Sequence, residues 1–472
     1  MENLRKVLLE YLKTKYGASD IVMQCTDRLL KQFEKGSICL EITDAAEREE
    51  LKKYSPAVGT GNEIQPRPLV FDGKLLYIQR YFEYQARILR KLEELFKNKR
   101  LHIITGGPGT GKTTSLVNIL KGKLSEKILL AAPTGKASLR MRDSLNRQFI
   151  DLESKTLHRL LGYKHLSASF KHTEKERLDS NTEIIIVDEC SMVDLPMMAK
   201  LLVTIPDNCD LYLLGDKNQL ASVEVGSVFA DICEKYKNEE AVYKELHINH
   251  RAAEAEGIDT LSKAILKSTK DNPLEEFDNN HVHYYGSNKL ESEWFNKYDD
   301  NLFSAKTPEA ALKFLDEFQI LCATNVGKNG TVQINKKLYE LAKIKKAEFI
   351  PIIITENNYQ LKLFNGDVGV KDRNNELAYF YSGKFPVLTL PEHDNAFAIT
   401  IHKSQGSEYQ NVAVIYPDKA KKNEDNESEI ILTRELLYTA ITRAKKECFI
   451  FGGKDVILES CKVKITRASG IV

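Results

Sequence analysis

The chain has 472 residues, 42% of them hydrophobic and 29% charged, which excludes global disorder and makes room for roughly three domains of ordinary size. Its 68 Lys and Arg nearly cancel its 67 Asp and Glu, leaving +1, so charge names no partner: a basic groove can be balanced by acidic surface elsewhere. Eight scattered cysteines without a CxxC pair exclude a zinc ribbon or disulfide framework, and no apolar run reaches the ~18 residues of a membrane span, so a reduced, cytoplasmic protein is expected.

The first residues, MENLRKVLLEYLKTKYG, pattern as an amphipathic helix without the apolar centre of a signal peptide. Residues 1–85 continue in helical patterning, with one apolar piece, SICLEI (37–42), and a Pro/Gly-rich stretch, and read as a small helical docking domain. From Arg100 the texture changes to short apolar strands alternating with helical stretches. LHIIT (101–105), KILLAAP (127–133), EIIIVDE (183–189) and DLYLLGD (210–216) predict buried parallel strands of a first lobe, 86–245. FQILCAT (318–324), AFAITI (396–401), NVAVIYP (411–417) and CFIFGG (448–453) predict a second, 246–472. The expected fold class is α/β, two doubly wound lobes facing each other. Residues 345–394 alternate in strand fashion, with Asn365-Gly366 as a hairpin signal, and read as a β-barrel-like insert in the second lobe. A polar segment, 164–181, interrupts the first lobe as a loop or hairpin, and KAKKNEDNESE (419–429) reads as a solvated surface loop.

GGPGTGKTT fits G-x-x-x-x-G-K-[ST] directly after an apolar strand. Gly106, Gly107, Pro108, Gly109, Thr110 and Gly111 would curl their backbone around phosphates, and the helix N-terminus that follows adds a favourable dipole. Lys112 would reach the β/γ-phosphates, with the Thr113 hydroxyl on Mg²⁺ and Thr114 beside it. Asp188-Glu189 ends a buried strand, one carboxylate suited to Mg²⁺ and the next to orienting or deprotonating water. Gln219 in LLGDKNQL stands where a γ-phosphate sensor is needed, although a lone loop glutamine would be unremarked. Arg251 in HINHR and Arg443 in ELLYTAITRAKK complete the set: an arginine across a cleft stabilises transition-state charge, whereas either one in isolation would be a surface ion pair.

The ordered series GGPGTGKTT, APTGKA, TLHRLLG, VDECSMVD, LLGDKNQLASVEVGSVFADI, NHR, TIHKSQGSE and LLYTAITRAK resembles the superfamily 1B DNA helicases. Within them it resembles the RecD family, the alpha subunits of the bacterial RecBCD enzyme (exodeoxyribonuclease V). The resemblance covers residues 85–453, with LFNGDVGV in the insert. SICLEI, SPAV and KLLYIQRYFEYQ are similar to the family's amino-terminal domain in a looser way. It implies two RecA-like P-loop NTPase lobes with an SH3-like insert, and Mg²⁺-dependent ATP hydrolysis coupled to 5′→3′ movement on single-stranded DNA. Carried over motif by motif, Gln85 would read the adenine, Lys112 and Thr113 would hold phosphates and Mg²⁺, Asp188 the metal, and Glu189 would be the catalytic base. Gln219, Arg251 and Arg443 would couple the γ-phosphate to lobe closure. Thr134 and Lys136, Thr156 and His158, and His402, Lys403 and Ser407 would line the DNA track, where donors grip phosphates without reading sequence. For this last group a packed or helix-capping role is the competing account.

The resemblance also implies RecB-like and RecC-like partner subunits, the docking domain meeting the latter and the nuclease residing in the former. A stand-alone 5′→3′ helicase is the alternative, and an ATPase switch indifferent to DNA is the alternative of another class. Segment 164–181 stands where relatives carry a strand-separating hairpin, yet it is short, with Phe170 and the adjoining Tyr163 as its only aromatic wedge.

Overall fold

A computed structural model describes the chain except for residues 1, 54, 122, 124–126, 165, 166, 168, 223, 251, 268–276, 287–296, 359 and 420–431. The first lobe is built on six parallel strands in the order Tyr243–Leu246, Leu101–Gly106, Asp210–Gly215, Ile184–Val187, Ile128–Ala132, Ser154–Thr156. Both faces are covered, which is why the inner strands read as continuous apolar runs. Along Ile184–Val187 successive side chains serve opposite faces. Ile185 and Val187 join the core under helices Gln79–Lys97, Leu195–Thr204 and Val228–Tyr236, while Ile184 and Ile186 join the one under Lys112–Lys121 and Gly135–Asn146.

The second lobe repeats the plan with five parallel strands, Val282–Tyr284, Ala444–Phe451, Tyr409–Ile415, Phe318–Cys322 and Ala398–Thr400. All eight expected strands are present. Between Phe318–Cys322 and Ala398–Thr400 the insert forms a five-stranded antiparallel sheet in the order Gly383–Pro386, Leu377–Phe380, Val368–Asp372, Phe349–Ile354, His393–Asn395. It has a core of its own around Ile352, Ile354, Leu363, Ala378 and Phe380. Asn365-Gly366 does form a turn, with Asp367 N donating to Phe364 O at 2.9 Å and Gly366 at φ +93°. The turn closes the end of a longer connection, 355–367, so it is not the two-residue hairpin loop the dipeptide suggests.

Residues 1–85, read as a small helical domain with one apolar piece, also carry a sheet. Helices Glu2–Tyr16, Asp20–Glu34 and Ala45–Lys52 pack with a four-stranded sheet in the order Cys39–Glu41, Leu75–Ile78, Leu69–Phe71, Val58–Gly59. Its hairpin is made by Asp72-Gly73: Asp72 Oδ1 accepts from Lys74 N (2.9 Å) and Leu75 N (2.7 Å), and Gly73 takes φ +101°. Helix Gln79–Lys97 runs through the expected boundary at 85 into the first lobe's core. Segment 164–181 opens with a small antiparallel pair, Tyr163–Lys164 and Ser169–Phe170, and the charged run 419–429 lies outside the described residues after Lys419.

Residues 463–471 form a strap across the molecule. Val463 O accepts from Arg434 N in the second lobe (2.9 Å), Arg467 Nη1 donates to Ser222 O, Glu224 O and Gly226 O in the first (2.9, 3.0 and 2.9 Å), and Ala468 O accepts from Ile38 N in the amino-terminal domain (2.9 Å). All eight cysteines are buried and free. Among the described residues no helix is long and apolar enough to cross a membrane.

Candidate active site

Strand Leu101–Gly106 delivers the chain into a tight loop and then helix Lys112–Lys121, whose first turn carries no acidic side chain. Gly109 and Gly111 hold φ of +79° and +85°, left-handed values that favour glycine, and a Cβ on Gly106 would lie 2.5 Å from Thr110 Oγ1. The loop is therefore a backbone cradle with no room for side chains on its inner side. Lys112 Nζ folds back on it, donating to Gly106 O (2.5 Å) and Gly107 O (3.1 Å), and Thr110 Oγ1 donates to Gly107 O (2.7 Å). Thr113 and Thr114 are exposed at the helix start. A cleft of about 200 Å³ lined by Gly106, Gly107, Thr110, Leu246, Tyr438 and Lys445 opens here between the lobes.

Two neighbouring strands end in carboxylates beside this loop. Asp188 follows Ile184–Val187; burial, then the adjacent Glu189, push its pKa up to about 6, against the pull of Lys112. Glu189 sits at φ +53°, left-handed for a residue with a side chain, one of six such non-glycine residues among those described. Asp216 follows Asp210–Gly215 and is 1% exposed. Burial raises its pKa, while the charges of Lys112 from the first lobe and Arg443 from the second both pull it back. The two cations thus flank one buried carboxylate.

Arg443 is 2% exposed. Its Nε donates to Thr439 O and its Nη1 to Ser407 O, both at 3.1 Å, while Nη2 is buried with no hydrogen-bond partner. Gln219, 6% exposed, likewise keeps Oε1 buried and unpartnered. Buried polar atoms without partners are costly, and here one is a cationic donor and the other an acceptor. Arg251 lies outside the described residues. The chain just before it does reach the phosphate loop, with His250 N donating to Gly109 O at 3.0 Å.

Residues 92–225 match the AAA domain family and residues 395–451 the UvrD-like helicase C-terminal domain family. The RecBCD enzyme subunit RecD of Mycolicibacterium smegmatis is 31% identical over 94% of this chain and 91% of its own length. The chain belongs to the RecD family. The RecBCD enzyme subunit RecD of Buchnera aphidicola subsp. Acyrthosiphon pisum is 30% identical, over 85% of this chain and 83% of its own. The ATP-dependent RecD2 DNA helicase of Deinococcus radiodurans is 28% identical over 78% of this chain but only 49% of its own.

Against the roles the RecD resemblance implies, the structure does not bring Gln85 to the phosphate loop. Its carboxamide is 5% exposed and engaged at both ends, Nε2 donating to Tyr77 OH (3.3 Å) and Oε1 accepting from Gly470 N of the strap (2.8 Å). Ser407 is 2% exposed, and its carbonyl accepts from Arg443 Nη1. Thr134 and Thr156 cap helices, Thr134 Oγ1 accepting from Ala137 N and Thr156 Oγ1 from Arg159 N, both at 3.2 Å. Thr134 nevertheless meets the second lobe, since a Cβ on Gly406 would lie 3.7 Å from its hydroxyl. Lys136 Nζ lies 5.9 Å from the Tyr409 ring centroid, and burial, then Arg140, bring its pKa down to about 8. His158 packs against Tyr163 (5.4 Å) and Phe170 (5.9 Å) of the small hairpin. His402 and Lys403 are exposed, Lys403 paired with Asp394 at 3.3 Å.

Four residues that the motif reading quoted without assigning turn out to join the lobes: Asp216, Gln405, Tyr438 and Thr439. Asp216 had a signal of its own. It ends an apolar strand just as Asp188 does, and the two strands are neighbours in register.

Proposed function

We propose that this chain is an ATP-driven 5′→3′ DNA helicase, the motor subunit of a RecBCD-type helicase–nuclease complex working on broken DNA in the cytoplasm. The observation that carries the reading is the seam: the phosphate loop of one lobe shares a cleft with Tyr438, Thr442 and Lys445 of the other, and the buried Asp216 feels both Lys112 and Arg443, whose Nη2 has no hydrogen-bond partner. ATP would be held by the loop 106–111 and Lys112, with Mg²⁺ between Thr113 and Asp188. A hydroxyl and a carboxylate are the oxygen donors a hard cation takes, and a divalent ion would offset the crowding of Asp188 by Glu189. The metal supplies neutralisation of phosphate charge when bound. Glu189 is proposed to take the proton from the attacking water, Gln219 to orient that water, and Arg443, with Arg251, to meet the charge that develops on the terminal phosphate. His402, Lys403, Thr134 and Lys136 are the proposed grips on the DNA backbone, standing on opposite lobes so that closure changes their spacing.

The subunit reading is supported by the RecBCD enzyme subunits RecD, 31% and 30% identical to this chain over most of its length. ATP turnover is expected to rise steeply with single-stranded oligonucleotide and to vanish in Lys112→Ala. Unwinding should need a 5′ tail, and the native protein should co-purify with two large subunits. Turnover indifferent to oligonucleotide would leave only an ATPase switch.

A further inference from the structure

Segment 216–220 belongs to the first lobe by sequence, yet the second lobe holds both its ends. Tyr438 OH donates to Asp216 Oδ2 at 2.9 Å, Leu220 N donates to Thr439 Oγ1 at 2.9 Å, and Gln405 Nε2 donates to Leu220 O at 2.8 Å. Tyr438, Thr439 and Gln405 are 3%, 0% and 8% exposed, so water does not compete for these bonds. Gln219 lies inside the held segment, with its own Oε1 unpartnered. Tyr438 also stands over the phosphate loop, because a Cβ on Gly107 would lie 2.9 Å from its hydroxyl. Thr439 is tied to the arginine as well, its carbonyl accepting from Arg443 Nε. One pair of adjacent residues on helix Arg434–Ile441 therefore touches the phosphate loop, the loop bearing Gln219, and Arg443.

We propose that Tyr438 and Thr439 are positioning residues for hydrolysis, transmitting the engagement of the second lobe to Gln219 so that the water is oriented only while the seam is closed. This rests on the ATPase reading above. Neither residue carries the reaction: Tyr438 acts through Asp216 and Thr439 through the Leu220 amide. A substitution that removes one hydroxyl leaves the nucleotide cradle intact but lets Gln219 wander, which lowers kcat and spares the KM for ATP.

The test uses the full chain with saturating single-stranded DNA and compares Tyr438→Phe, Thr439→Val and Thr439→Ser with wild type. The Phe and Val variants are expected to lose about tenfold in kcat, the effect of one buried hydrogen bond expressed at the barrier, with the KM for ATP within about twofold. The Ser variant keeps the acceptor for Leu220 N and is expected within about twofold of wild type. Hydrogen exchange of the peptide 216–222 is read in parallel without DNA or nucleotide: faster in Phe and Val, unchanged in Ser. A wild type that ignores DNA would overturn the functional reading while exchange still judges the seam. Unchanged exchange in both the Phe and Val variants, unchanged kcat in both, a raised KM with kcat retained, or a Ser variant as slow as Val would each overturn the proposal.

Discussion

Arg443→Ala separates what the buried guanidinium does for the fold from what it does for chemistry. Two of its nitrogens are structural, Nε and Nη1, each donating to a carbonyl at 3.1 Å. At about 1.5–3 kcal/mol for a charge-assisted bond, their loss should cost the second lobe roughly 3–6 kcal/mol, enough to demand a folding control. Nη2 makes no hydrogen bond, so none is lost with it. Arg443→Lys is that control: the ammonium keeps the charge and can satisfy one carbonyl, but it cannot hold both and also reach outward. Phosphate release at saturating DNA is expected to fall by roughly 10³ or more in both variants, as for a lost arginine finger. Nucleotide affinity, which Lys112 and the loop on the other lobe supply, should stay within about threefold in Arg443→Lys. Fluorescent-nucleotide titration and a melting curve accompany the kinetics. A folded Arg443→Lys that turns over within tenfold of wild type would show that Nη2 has no catalytic task.

Gly107→Ala should wedge the lobes apart, because its methyl would lie 2.9 Å from the Tyr438 hydroxyl; an approximately tenfold drop in kcat with the melting midpoint of the first lobe preserved is expected, and wild-type turnover would refute the close approach. Burial lifts the Asp231 carboxyl from 3.8 to about 6, with Ser469 Oγ donating to it and Arg467 opposing the rise. The folded value lies above the unfolded one, so the native state binds that proton more tightly and loses stability as pH rises from about 4 through 6. Asp231→Asn is expected to gain up to about 3 kcal/mol at pH 7.5 and about 1 kcal/mol at pH 4.5 by denaturant midpoints; destabilisation at pH 7.5 would contradict the assignment. Arg467→Ala removes three bonds to the 222–226 carbonyls, one of them exposed, and should lower stability by about 3–6 kcal/mol and speed proteolysis within 463–471, with ATP turnover of the folded fraction within about twofold.

The interior strands were legible because a strand buried on both faces has no polar option. In the sheets of the two lobes three strands escaped the sequence reading, Ser154–Thr156, Tyr243–Leu246 and Val282–Tyr284, and each is an edge of its sheet. Edges tolerate polar residues on their open side, so SKT and YKEL carry no apolar run to notice. The amino-terminal hairpin was a different omission, since Asp72-Gly73 advertises its turn locally and the strands LVF and LLYI flank it. The phosphate loop was readable for the same reason that the seam was not. Gly106 to Thr114 is one local structure, whereas Tyr438 and Asp216 are 222 positions apart and Gln85 and Gly470 are 385 apart. Spacing carries no information at that range, and Gln85, given a nucleotide role by resemblance alone, is where this told.

The seam's strength fits reversible closure. Its three interlobe hydrogen bonds contribute about 1 kcal/mol each after exchange with water, so on the order of 3 kcal/mol favours the engaged state. Converting a population from mostly open to mostly closed takes about 5.5 kcal/mol of differential binding. The bonds alone fall short of that, and the shortfall is about what one or two contacts to a charged phosphate provide. Arg443 Nη2 and Gln219 Oε1 are among the buried atoms without hydrogen-bond partners in the described residues. All three bonds are made in this structure, so a terminal phosphate meeting the arginine would strengthen the engagement rather than create it. When hydrolysis removes that charge, the three remaining bonds hold the seam only modestly, as a motor that must let go at every step requires.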